Sequence, residues 1–176
     1  GAVAGAVART NQQRVGEIDA SGKPIYLGDQ IDTDAAGRLQ VLLRDETVFT
    51  IGPNSSLIID EFVYDPTQQS GKLAARALKG TFRFVTGQIA RTRPEDMEVR
   101  LPAGVIGIRG TMVAGKIDGD KSRIVLLGPG AKNNAHEPPG QITVANDVGG
   151  RSQSVLLTRP GYGTEIPGAN LPPTPP

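Results

Sequence analysis

An all-β domain is predicted by three features of this 176-residue sequence. Short apolar stretches recur at roughly eight to twelve residue spacing along most of the chain. Turn formers separate them, with 23 Gly and 14 Pro, while aromatic residues make up only 4%. Where a stretch is clearest its period is two: Leu39, Val41 and Leu43 alternate with Arg38, Gln40 and Leu42. Many short strands in that layout build a sandwich-like or solenoid-like fold.

The elements follow in order. Residues 1–11 begin GAVAGAVART and form an irregular apolar arm. Such an arm is either a loose end or a strand that pairs elsewhere, with Val3 and Val7 as its candidate contacts. The β domain is expected over 12–166. Val15 and Ile18 precede a turn at Asp19-Ala20-Ser21-Gly22, and Ile25 and Leu27 precede Gly28-Asp29. The strand 39–43 turns at Asp45-Glu46 into Thr47–Ile51, where Glu46 must tolerate an awkward backbone angle. Gly52-Pro53-Asn54-Ser55 makes the next turn, and Leu57–Tyr64 the next strand.

Lys72–Lys79 (KLAARALK) is the ambiguous stretch. Its Leu73, Ala74, Ala77 and Leu78 fit one helical face, so local propensity predicts a short helix between Gly71 and Gly80. Strands are then expected at 81–86, 97–101, 105–108, 111–117, 123–127, 141–145, 154–158 and 162–166. The segment 128–140 reads as a turn-rich loop. Residues 167–176 end in LPPTPP, an extended tail that contributes no core.

The chemical inventory argues against an enzyme. There is no Cys and one His, His136, so a thiolate or Cys–His centre cannot form and no metal or other cofactor is expected. Asp60 and Glu61 are adjacent in a strand, so alternation sends them to opposite faces and they cannot share a proton. Asp118-Gly119-Asp120 reads as a hairpin turn rather than a calcium loop. Ser55, Ser56 and Ser154 lie in no nucleophile pattern, and Gly128–Lys132 lacks phosphate-loop spacing. Lys plus Arg is 19 and Asp plus Glu 18, interleaved, which excludes the dense basic face that nucleic acid needs. No apolar run approaches the roughly 18 residues of a membrane span. Arg109, between Gly107 and Gly110, is expected to point inward and tie loops together.

Several of these motifs resemble the FecR family when taken together. Gly28-Asp29-Gln30-Ile31-Asp32-Thr33 followed by Gly37-Arg38 resembles that family's first turn and strand. Asp45 and Thr47, then Gly52-Pro53-Asn54-Ser55, resemble its D-G-T…GPNS segment, with Glu46 in place of Gly. Gly80-Thr81 and Gly104–Thr111, with Gly107, Arg109, Gly110 and Thr111, resemble its later strands and closing signature. The resemblance covers about residues 12–127. It implies a β-rich domain in which KLAARALK is a strand, and signature residues that are structural rather than catalytic.

It also implies a periplasmic or otherwise exported location in a Gram-negative-type envelope, and a role in signalling. The chain starts at Gly, as a cleaved secretion signal or an engineered start would leave it, and reads as a stand-alone form without anti-sigma or transmembrane segments. The expected function is a non-catalytic protein-binding module or adaptor, capturing a partner at an exposed sheet edge. The alternative is a self-assembling subunit of a surface layer or fibre that pairs through the arm.

Overall fold

The computed structural model describes residues 6–10, 13–18, 22–129 and 140–176; at 6–10, 13–17 and 129 it describes the backbone alone. Val3 and His136 lie outside the described residues. Fourteen strands run through the described residues: β1 (Ala6–Thr10), β2 (Gln13–Ile18), β3 (Gln30–Thr33), β4 (Leu39–Leu42), β5 (Val48–Ile51), β6 (Ser56–Asp65), β7 (Ser70–Val85), β8 (Met97–Leu101), β9 (Gly104–Arg109), β10 (Thr111–Asp118), β11 (Lys121–Pro129), β12 (Gln141–Val148), β13 (Arg151–Leu157) and β14 (Gly163–Ile166). One short helix, α1 (Gln88–Thr92), and a 3-10 turn at Pro94–Asp96 lie between β7 and β8. The all-β reading holds. Among the described residues no helix is long and apolar enough to cross a membrane.

The strands form two sheets that share β7. The first runs β13-β12-β9-β8-β7-β6-β3-β1-β2, and the second β4-β5-β7-β10-β11-β14. Residues 70–79 of β7 pair with β6, and 80–85 pair with β5 and β10. Among the described residues only β7 and β8 run parallel, joined by the crossover that carries α1.

β7 corrects the local helix prediction. Its inward residues in the first sheet are Leu73, Ala75 and Ala77, at period two, and ladders flank them on both sides. Two helical turns have too few hydrogen bonds to compete with that. The expected break at Gly80 is also absent as a break. The strand continues, with a bulge at Leu78 and a φ of 83° at Gly80, and its alternation changes phase. Inward residues become Phe82 and Phe84, which face the second sheet's core. Phe84 stacks on Phe82 with ring centroids 6.0 Å apart and meets Phe49 at a tilt, 5.9 Å away. The inner faces of both sheets thus meet in one apolar cluster, from Ile31, Leu57 and Val99 to Val113, Ile124 and Ile142.

The turns follow their residues. Glu46 takes a φ of 72°, as the hairpin demands of it. Gly119-Asp120 closes the β10–β11 hairpin between Asp118 and Lys121. α1 was illegible in sequence because it has no capping side chain; it is held by buried Ile89 and Ala90 and by Gln88 N donating to Asp45 O at 2.7 Å.

The Pro-rich tail has more structure than its composition implies. Thr174 N donates to Glu165 O at 2.8 Å, Glu165 N donates to Thr174 Oγ1 at 3.0 Å, and Pro173 is buried. The tail thereby covers the outer edge of β14. The N-terminal segment is also placed: β1 sits between β2 and β3, with ladders on both sides.

Candidate functional site

Four strands end the two sheets: β13 and β2 in the first, β4 and β14 in the second. The tail covers β14, and β13 is largely polar, reading RSQSVLL. β4 differs from both. Residues 39–43 form one wall of a groove of about 570 Å³, with residues 22–27 opposite and Ile18, Ile59 and Phe62 between them. Five consecutive residues of one strand can line a groove only if the groove runs along the strand's edge, because alternate side chains point to opposite faces.

The ladder fixes which backbone groups that edge offers. Leu43 N donates to Thr47 O at 2.9 Å. Antiparallel bonding alternates, so Val41 and Leu39 also bond toward β5. The N–H and C=O of Gln40 and Leu42 point into the groove. Tyr26 and Leu27, 66% and 59% exposed, stand on the far wall, and Leu42 is 71% exposed on the near one. The groove is apolar, open, and edged by strand groups that are unpaired among the described residues, which is a geometry for receiving an extended chain.

The signature residues cluster beside it. The β3 side chain of Thr33 donates from Oγ1 to Gly52 O at 2.7 Å and accepts from Ser55 N at 2.9 Å. Ser55 Oγ accepts from Thr81 N at 2.9 Å and lies 3.1 Å from both Thr81 O and Pro53 O. Asn54 N donates to Asp34 O, as does Gly37 N. Buried Asp29 accepts from Tyr26 N at 3.0 Å and closes the turn at Gly28. These bonds join β3, the 52–55 turn and β7 at the point where β7 changes sheets. Arg38 is exposed at the start of β4.

Thr111 belongs to a second junction: its N donates to Thr86 Oγ1 at 2.8 Å, and its hydroxyl donates to Gly128 O. Gly110 turns the chain between β9 and β10 with a φ of 50°. Arg109 does not point inward. It ends β9 on the outward phase, opposite inward Ile108, and is exposed beside Glu95 and Gln141. A third junction, which the sequence reading did not assemble, centres on Asp45. The carboxylate accepts from Thr47 N at 3.0 Å and Thr47 Oγ1 at 2.7 Å, and Thr47 Oγ1 accepts from Gly87 N at 3.0 Å.

Asp60 and Glu61 share a face, against expectation. A bulge leaves Asp60 without a partner residue on β7, so both project outward between inward Ile59 and Phe62. They still form no acid–base pair, because each holds its own cation: Asp60 holds Arg76 at 2.6 Å and Glu61 holds Lys72 at 3.2 Å. The hydrogen bonds that Arg76 donates to Asp60 raise the Arg76 pKa above its ordinary value. Among the described residues no group of His, Cys, Asp and Glu could hold a metal ion.

No curated protein of similar sequence was found. Two crystal structures of a proposed anti-sigma factor from Parabacteroides distasonis are similar in fold, with TM-scores of 0.53 and 0.52 at 14% identity. The match covers 82% of this chain and 57% of that one, so this chain spans little more than half its length. The model of the FecR protein family matches residues 29–128, which hold the junctions centred on Ser55, Thr111 and Asp45, and the chain belongs to that family.

Proposed function

We propose that this chain is a non-catalytic, protein-binding signalling module of the cell envelope that captures an extended segment of its partner along β4. The observation that carries the reading is the groove at residues 39–43, where a strand edge unpaired among the described residues and an apolar channel coincide. Main-chain hydrogen bonds from Gln40 and Leu42 would supply affinity, and Tyr26, Leu27 and Phe62 would select side chains. Family membership and the fold shared with a proposed anti-sigma factor support signalling through protein partners. An exported location fits the same family. The signature residues, on this reading, are staples that hold β3, β5 and β10 against β7.

The self-assembly alternative gains no support from residues 6–10, the described part of the arm. β1 is an interior strand, and donating it to a neighbour would cost two ladders. The test is a photo-crosslinking residue at Tyr26, with Gln40→Pro as control. Crosslinks to one protein species in cells, lost when Gln40→Pro removes the groove-facing N–H, would support strand addition. No crosslink, or one indifferent to Gln40→Pro, would overturn it.

A further inference from the structure

The outer faces of the two sheets differ in how their charges are used. Three of the four ion pairs among the described residues lie on the first sheet's outer face: Lys72–Glu61, Arg76–Asp60 and Arg100–Glu98. The second sheet's outer face has one, Arg123–Glu165. Arg83 and Lys116 project from that face exposed, without a carboxylate partner among the described residues.

The second sheet's outer face also carries an apolar row. Leu42 pairs with Val48, Val48 with Val85, and Val85 with Met112, and the bulged Leu127 follows on β11. All five point away from the core, since inward Val41, Phe49, Phe84, Val113 and Leu126 are their neighbours in sequence. Leu42 and Leu127 at the ends are 71% and 42% exposed, and the three between are half-buried. Four strand spacings make the row about 19 Å long and one residue wide. Arg83 lies one row away and leans onto it, its Nη2 3.0 Å from Met112 Sδ. Lys116 flanks the same side, two residues further along.

We propose that this row is a second docking surface, which meets the groove's near wall at Leu42, and that its occupant is an amphipathic helix of a partner protein with carboxylates along one flank. A row of about 19 Å matches roughly 13 residues of helix. Apolar side chains at i, i+3, i+4 and i+7 would lie on the row, and acidic residues beside them would reach Arg83 and Lys116. The half-burial of Val48, Val85 and Met112 favours a helix laid on a flat face over a membrane, which needs protruding apolar groups.

The test uses the full chain and two synthetic helical peptides with one leucine stripe, flanked by Glu in one and by Lys in the other. Fluorescence anisotropy should detect binding of the Glu peptide only, weakened at least roughly tenfold by Arg83→Glu with Lys116→Glu. Leu127→Glu should weaken it independently, and Arg100→Glu, on the first sheet's outer face, should leave it unchanged, which separates this surface from the other charged face. The proposal is overturned by equal binding of both peptides, by no binding, or by indifference to the charge reversals. It is also overturned if anionic phosphatidylglycerol vesicles bind the chain and the Glu peptide does not, or if sedimentation finds a dimer that the reversals dissociate.

Discussion

Ser55 lies so close to Gly80 that a Cβ on that glycine would stand 2.6 Å from the Ser55 Cα. The same glycine has a φ of 83°, so any side chain there meets both strain and backbone. Gly80→Ala should therefore destabilise by at least about 3 kcal/mol. Ser55→Ala leaves Thr81 N without its acceptor and should cost about 1–2 kcal/mol. Urea unfolding of both variants checks the order, and a Gly80→Ala protein as stable as the parent would contradict the close packing.

Glu46 should show the opposite sign. It holds a φ of 72° that glycine adopts freely, and its side chain contributes only an exposed bond to Gln88. Glu46→Gly should raise stability by about 0.5–1 kcal/mol, a gain of a few degrees in Tm by calorimetry.

Phe84 touches both other rings of the second sheet's core and is fully buried. Phe84→Ala should cost about 3–5 kcal/mol. A loss under about 1 kcal/mol in thermal unfolding would mean that the two inner faces are not packed together.

The Asp60–Arg76 pair should matter little in comparison, despite its two hydrogen bonds. Both side chains are substantially exposed, and solvent screens them. A double-mutant cycle with Ala at each position should give a coupling of about 1 kcal/mol or less, falling as salt rises.

Gln40→Pro should separate folding from binding. The lost N–H faces the groove, and β4 keeps its ladder to β5 through residues 39, 41 and 43. Its stability should stay within about 1 kcal/mol of the parent while the Tyr26 crosslink disappears.

Much of this fold was legible wherever local chemistry decides the outcome. Glu46 announced its strained turn, and Gly119 its hairpin. Lys72–Lys79 was not legible locally, because its apolar residues fit both periods and the deciding ladders come from β6 and β8. The outward placement of both Asp60 and Glu61 depends on a bulge that alternation alone cannot foresee. Arg109 exposes its guanidinium because β9's phase is set by Ile106 and Ile108. The groove was least visible of all: Tyr26 and Leu42 are far apart in sequence, and only the sheet's closure brings their segments into one wall and its opposite.

One strand holds membership in both sheets, and that couples their fates. Pulling the second sheet open breaks β7's ladders to β5 and β10 and frees the hinge at Gly80, which loosens the Ser55 staple on the first. Neither layer can then melt alone, and tension applied at β4 by a bound segment would reach β6 and β8 through a single continuous backbone. Amide exchange along residues 73–85 should accordingly report one shared opening event rather than two.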